Sequence, residues 1–342
     1  MDIDYVIAWV DGQDPKHIQA RKEFAPASSR IHYEATTEER FHDNGEIYYH
    51  IASIIKYAPF IRRVFIITDN QKPAYLDSFA KEGLCEPSFL KIVSHDEIFA
   101  GLDAVRPTFN ARAIEAVLWR IPELSEHFIY ANDDFFLNAP QRELDFYRDG
   151  FPVLQGTMEP SENKRLKYRL RKLFSRVSSY QYSFPKYRMA QWKGAVLAGV
   201  TGSFLNVHHY PHPLRRSTFE DFFSENNDIL RKQISYRYRD VAQFNSVSLA
   251  NHLEISRYKV PVFPPAELAY IDFTKSKAVP AEIEKIRTGV TPYGCVQGWE
   301  LFEPDTREQI RDLLTTKFQG SLPADIRSAF SGHSNRQLKR VC

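Results

Sequence analysis

The chain has 342 residues, of which 43% are hydrophobic and 14% aromatic; it is too rich in core-forming side chains to be disordered and long enough to bury a large interior. Lys plus Arg (45) nearly balance Asp plus Glu (43), so the global charge carries no nucleic-acid footprint and no nucleic-acid partner is expected. Cys85, Cys295 and Cys342 are too few and too scattered for a disulfide framework or a zinc cluster.

The first 150 residues alternate strand and helix patterns. Tyr5–Val10 is a continuous apolar run, the form of a strand buried on both faces, and it stops at Asp11-Gly12. After a polar stretch, Asp43 or Asn44 is the expected cap of a helix carrying Ile47, Ile51, Ile54 and Ile55 on one face, closed by Pro59. Arg63–Thr68 reads as a second buried strand ending at Asp69-Asn70, followed by a helix near Ala74–Lys81 and a weaker strand at Leu90–Ser94. Asn110 can cap a helix with Ala113, Ile114, Val117 and Leu118 inside, terminated by Pro122. His127–Ala131 is the last strand of this region and runs into Asn132-Asp133-Asp134.

Strands separated by helices imply a mostly parallel, Rossmann-like or GT-A-like sheet with helices on both faces. In such a sheet the carboxyl ends share one edge, and ligands bind where strand order reverses. Three strand ends here carry Asp11, Asp69 and Asp133-Asp134. One such Asp is usual turn chemistry; three, one of them doubled, favour a functional edge. Adjacent carboxylates after a buried strand suit Mg²⁺ or Mn²⁺, which is held by one or two carboxylates plus substrate phosphates. Glycosyl transfer and phosphoryl transfer remain equally compatible with that. The chain lacks G-x-x-x-x-G-K-[ST], a G-x-G-x-x-G after the first strand, and G-x-S-x-G; this excludes a P-loop NTPase and disfavours a dinucleotide enzyme and a serine hydrolase.

Beyond Gly150 the pattern changes. Lys164–Arg188 holds nine basic residues and no acidic one, with Leu166, Leu170, Leu173, Phe174 and Val177 at helical spacing. This basic amphipathic helix either contacts an anionic membrane or polymer or packs its Leu face on the core with its charges in water. The region up to Asp305 reads as loops and short helices covering the sheet edge, and Pro304-Asp305-Thr306 opens a helix with Ile310, Leu313, Leu314 and Phe318. Three parts are therefore expected: a nucleotide-sugar-binding α/β core (1–150), a basic helical insertion (151–205) and a helical, loop-rich C-terminal part completing the site (206–342). Met1-Asp2-Ile3-Asp4 leads directly into a strand and no apolar run approaches the ~20 residues of a membrane span, so the expected location is cytoplasmic, with any membrane contact peripheral.

Two later clusters carry chemistry. His208, His209, His212, Arg215 and Arg216, stiffened by Pro211 and Pro213, can place a general base beside phosphate-binding cations. Tyr236-Arg237-Tyr238-Arg239-Asp240, followed by Asn245, can bring a guanidinium to a transferring phosphoryl group.

Taken together these stretches resemble the Stealth family, which comprises bacterial capsule-polymer sugar-1-phosphate transferases and the catalytic subunit of the eukaryotic lysosomal-enzyme GlcNAc-1-phosphotransferase. The resemblance runs through Ala8-Trp9-Val10-Asp11-Gly12, Arg40 to Glu46, Ile67-Thr68-Asp69, Pro107 to Glu115, Leu124 to Leu137, His209 to Ser217, and Arg239 with Asn245. A fourth family block is altered: Cys295-Val296-Gln297-Gly298-Trp299 stands without its acidic residue, and Glu300 is the nearest replacement. Residues 152–205 are unmatched. The resemblance implies transfer of a hexose-1-phosphate, in particular an N-acetylhexosamine-1-phosphate, from a UDP-sugar to an oligo- or polysaccharide acceptor. It implies Asp133 and Asp134 on Mg²⁺ or Mn²⁺, with Asp134, His209 and Arg239 catalytic. It implies substrate contacts from Asp11, Gly12, Asp43, Asn44, Glu46, Asn110, Arg112, Asn132, His212, Arg215 and Asn245. The rivals are a metal-dependent GT-A glycosyltransferase releasing UDP and a non-catalytic polysaccharide-binding relative.

Overall fold

The computed structural model describes residues 1–25, 43–164 and 187–331. Residues 165–186, which hold most of the predicted basic helix, lie outside the described residues, as do Arg40 and Cys342. Alternation along β1 (Ile3–Ala8) shows how the central sheet is covered. Tyr5 and Ile7 enter one buried cluster with Ile47, Ile51 and Ile54 of α2 (Glu46–Tyr57). Val6 enters a second, on the opposite face. A strand clad on both faces must be apolar throughout, which is why its sequence reads as an unbroken run.

β1 pairs in parallel with β2 (Ile61–Thr68) on one side and β4 (His127–Asn132) on the other, with Ala8 opposite Ile67 and Asn132. β3 (Leu90–Ser94) extends the parallel set beyond β2. All three predicted strand ends therefore lie on one edge, and the chain order reverses about β1. The sheet is completed beside β4 by an antiparallel strand, β6 (His212–Arg215). A smaller sheet joins β5 (Phe135–Leu137), immediately after Asp134, to two C-terminal strands, the parallel pair β7 (Leu268–Asp272) and β8 (Tyr293–Gln297).

Several expectations are corrected. Asp14 accepts from the N–H groups of Lys16 and His17 and starts a helix, α1 (Pro15–Glu23), in the stretch read as merely polar. The helix over Ala74–Lys81 shrinks to Ser78–Lys81. Neither Asp43 nor Asn44 caps α2; the N-cap is Gly45, with φ +88°. A Cβ at Gly45 would stand 2.3 Å from the Phe330 ring, so the backbone there must be bare. The region expected to be irregular holds β6, β7 and β8 and a thirteen-residue helix, α5, at Ser246–Tyr258. Two shorter helices used below are α3 (Ala111–Glu115) and α4 (Tyr187–Leu197). Among the described residues no helix is long and apolar enough to cross a membrane.

Asp4 locks the far end of the sheet. Its side chain is 0% exposed and accepts from Arg62 Nε (2.9 Å), Arg62 Nη2 (2.6 Å) and Ser125 N (2.7 Å). Asp4→Ala leaves those donors without their acceptor and is expected to cost about 3 kcal/mol, read as a lower urea midpoint with unchanged slope.

Candidate active site

The site is assembled where β4 ends. Asn132 is the last residue of β4 and Phe135 the first of β5, so Asp133 and Asp134 make the turn and project at the edge where strand order reverses. Val296 N donates to the Asp134 carbonyl at 3.1 Å, tying this turn to β8. Asp134 Oδ2 accepts from Cys295 Sγ at 3.5 Å, while Oδ1 is buried without a hydrogen-bond partner.

Facing this turn is the start of α2. Asp43 Oδ1 accepts from Gly45 N at 2.9 Å. Glu46 accepts from Asn44 N (2.6 Å) and Asn44 Nδ2 (3.0 Å). The same Asn44 amide reaches Glu300 Oε2 at 3.5 Å, so Glu300 does come to the site in spite of the altered fourth block. Asp11 is held by Gln71 through a reciprocal pair, Asp11 N to Oε1 and Nε2 to the Asp11 carbonyl, both 2.9 Å.

These carboxyl groups retain a water-accessible edge yet are surrounded by protein, and they repel one another. Burial raises Asp133 well above the usual carboxylate range, helped by the charges of Asp134, Glu46 and Asp43. Burial lifts Asp134 to about 6. It lifts Glu46 to about 8, with Asp43 adding to the rise. Asp43 also reaches about 6 through burial, with Asp11 adding and the Trp9 indole opposing. The ionised forms of these groups destabilise one another, and such a set of crowded carboxyl oxygens is one that a hard divalent ion stabilises. Among the described residues no three His, Cys, Asp or Glu side chains are gathered closely enough to hold a metal by themselves. Asp133 and Asp134 fit an ion that draws its remaining ligands from phosphate oxygens and water.

A second group stands across Tyr130. The Arg239 guanidinium is enclosed; burial lowers its pKa, and the charge of Glu115 opposes that most strongly. Glu115 sits between two cations: burial raises its pKa, against Arg239, Arg112 and the Tyr130 hydroxyl. Asn245 Nδ2 also donates to Glu115 Oε2 at 3.4 Å. Arg112 is pushed down to about 10, by burial first and by Arg239 next. The His209 ring lies nearly parallel to Tyr187 (5.4 Å, 18°), Phe135 (6.2 Å, 25°) and Tyr270 (6.1 Å, 5°). Burial, then the charges of His208 and Arg239, lowers its pKa, so its imidazole is neutral at neutral pH and fit to accept a proton.

Several predicted contacts do other work. Asn110 is 0% exposed; its Nδ2 donates to the carbonyls of Tyr236 (2.9 Å) and Tyr238 (3.0 Å) and to Gln243 Oε1 (2.9 Å). It pins the loop bearing Arg239 instead of lining the crevice. Asn245 caps α5 through Ser248 N (2.7 Å) and steadies Glu115. Arg112 Nη1 donates to the Asp240 carbonyl at 3.2 Å. Gly12 is buried and gives its carbonyl to Arg21 at 2.9 Å. Asn132 Oδ1 accepts from the Tyr130 hydroxyl at 3.0 Å. His212 is buried opposite Tyr130 and held neutral by burial, at about 3.

Arg215 is the clearest correction. β6 runs antiparallel to β4, so Arg215 lies opposite His127, at the end of β4 away from Asn132. Its guanidinium is held by Glu254 through two bonds of 2.9 Å each. Arg215→Ala is therefore expected to lower stability by about 3 kcal/mol while transferase turnover stays within about twofold of wild type; denaturation and steady-state rates measured on one preparation check this.

Glu115, Tyr130 and Tyr187 were missed as site residues. The readable signal for Glu115 was its i,i+3 spacing from Arg112 on a helix otherwise made of Ala111, Ala113 and Ile114. Thr68 Oγ1, His95 Nδ1 and Asp134 Oδ1 are also buried without hydrogen-bond partners, at the ends of β2, β3 and β4.

The chain matches the family model described as Stealth protein CR2, conserved region 2, over residues 40–153. It is 28% identical over 325 residues to capsular polysaccharide phosphotransferase fcs1 of Haemophilus influenzae, covering 94% of this chain and 76% of that protein. It is 30% identical over 259 residues to exopolysaccharide phosphotransferase cps2G of Lactiplantibacillus plantarum, covering 70% and 71%. A capsular polysaccharide phosphotransferase of Actinobacillus suis is 42% identical over 150 residues, 43% of this chain and 38% of that one. Among solved structures, galactosyltransferase LgtC with donor and acceptor sugar analogues aligns at a TM-score of 0.39 and 12% identity, over 94% of this chain and 100% of that one.

Proposed function

The chain belongs to the Stealth family, whose members here are polysaccharide phosphotransferases, and from that premise we propose that it moves a hexose-1-phosphate from a UDP-sugar to a hydroxyl of a saccharide acceptor. The observation that carries this is the opposition of two groups across one strand end. Crowded carboxylates at Asp133 and Asp134 stand on one side: Tyr130 lies within the fields of both Asp133 and the enclosed Arg239 guanidinium, and the neutral His209 ring stacks on Phe135, the residue after Asp134.

The acceptor oxygen attacks the β-phosphorus of the donor, forming a new P–O bond as the bond to the bridging oxygen breaks and UMP departs. His209 takes the acceptor proton. Arg239 stabilises the charge that builds on the non-bridging oxygens, and its enclosure strengthens that interaction. Asp133 and Asp134 would hold Mg²⁺ or Mn²⁺, which when bound screens the diphosphate charge. Asn44, hydrogen-bonded to Glu46, fixes the opposite wall of the crevice.

A panel of UDP-hexoses and UDP-N-acetylhexosamines, incubated with Mg²⁺ and oligosaccharides, is expected to yield UMP. UDP as the product would identify a glycosyltransferase instead. Because His209 titrates below its ordinary value of 6.5, its basic form persists to lower pH, and the acid limb of kcat/KM is expected below pH 6.5. An acid limb that is unchanged in His209→Gln would remove His209 from the role of base.

A further inference from the structure

The sheet β7–β8–β5 ends beside the catalytic turn with an apolar surface that is exposed among the described residues. Phe273 is the one exposed phenylalanine among the described residues, at 40%, and Leu301 is 42% exposed. The two are neighbours. A Cβ at Gly298 would stand 2.8 Å from Phe273 Cδ1 and 3.3 Å from Leu301 Cδ1. Ring and isobutyl group therefore close over a glycine whose φ of +66° and lack of a side chain permit it.

Phe273 directly follows β7 and Gly298 directly follows β8, two parallel strands, so the patch lies at their shared carboxyl edge. β8 is antiparallel to β5, and the Val296 N–H bonded to the Asp134 carbonyl brings that edge to the catalytic turn. Tyr270, in β7, continues the surface inward: its ring is parallel to His209 at 6.1 Å, and its hydroxyl is fixed by donating to Gln297 Oε1.

We propose that Tyr270, Phe273 and Leu301 form the acceptor subsite, a platform for the apolar C–H face of a pyranose ring at the end of the saccharide chain. The proposal rests on the phosphotransferase reading, which places the acceptor hydroxyl at His209. A pyranose ring carries hydroxyls around its rim and bare C–H bonds on its faces. An exposed aromatic ring can cover such a face while the hydroxyls stay in water. The donor suits this patch poorly, because a diphosphate needs free cations. The nearby Lys275 is engaged by Asp272, at 3.8 Å, and by the Tyr270 ring, at 5.5 Å.

The test is saturation-transfer difference NMR on the full chain. The probes are neutral and N-acetylated tri- and tetrasaccharides, including fragments of the polysaccharide made by the cells that carry the protein. A saccharide that binds the wild type is expected to bind the double variant Phe273→Ala, Leu301→Ala about tenfold more weakly, the loss of one to two stacking contacts. Phe273→Trp should restore binding, and Val290→Ser, removing a 65% exposed side chain before the other end of β8, should leave it as it was. Equal binding by the double variant, or no binding of any probe to the wild type, overturns the subsite. UMP formation from UDP-sugars, assayed in parallel, reports on the phosphotransferase reading separately.

Discussion

Asp134→Asn is expected to lower phosphotransfer by about a thousandfold, the scale of losing one preorganised electrostatic group at a reacting centre, while making the protein more stable. The two effects have one cause. Asp134 Oδ1 is buried without a partner and burial lifts the carboxyl to about 6, so the folded state disfavours the ionised form that the chemistry needs. The ordinary unfolded value is about 3.9. A carboxyl whose folded pKa is raised favours the folded state below the unfolded pKa. That advantage is lost as pH rises between the two values, and above about pH 6 the full penalty of ionisation, at most about 3 kcal/mol, is present. Asparagine keeps the shape and cannot ionise. The variant should therefore gain stability at pH 7 and gain little at pH 4. Mg²⁺ with UMP should raise the melting temperature of the wild type at pH 7 and leave the variant unmoved. A variant that is both inactive and destabilised at pH 7 would mean that Asp134 is structural.

Asp133 and Asp134 were legible because a strand buried on both faces must be apolar, so an unbroken run followed by two carboxylates locates a sheet edge without any structure. The two-faced parallel core was legible for the same reason. Direction was not. His212–Arg215 has the right chemistry for a phosphate clamp, yet β6 runs antiparallel to β4 and sends Arg215 to the end of the sheet away from the site. Composition says nothing of strand direction. Pro213 is tolerated because β6 is an edge strand and needs no donor on its outer side. Asn110 was misassigned because an amide that satisfies three acceptors in a loop has the same one-letter code as one that meets a ligand. Helix α1 carried a valid start in Asp14-Pro15, but with no apolar stripe its sequence offered nothing periodic to follow. Glu115 escaped because a single carboxylate in a short helix looks like solvated surface until the loop pinned by Asn110 brings Arg239 to it.

The relation between Glu115 and Arg239 gives the second large effect. Arg239→Lys keeps the charge and loses the planar fork that can hold two phosphoryl oxygens at once. It is expected to cost about 10³-fold in kcat, the lower end of what a transition-state arginine supplies. Glu115→Gln removes the charge that most strongly holds the guanidinium in its enclosed position and leaves Arg239 and Arg112 to repel each other. Its expected cost is about 10- to 100-fold in kcat with little change in donor KM, because Glu115 acts through Arg239 and not on the ground-state substrate. The double variant separates this from two independent defects. If Glu115 works only by positioning Arg239, adding Glu115→Gln to Arg239→Lys should cost less than about threefold more, since the group it positions no longer makes the fork. Losses that multiply in full would show instead that Glu115 meets substrate directly, and the enclosed carboxylate would then be part of the reacting site.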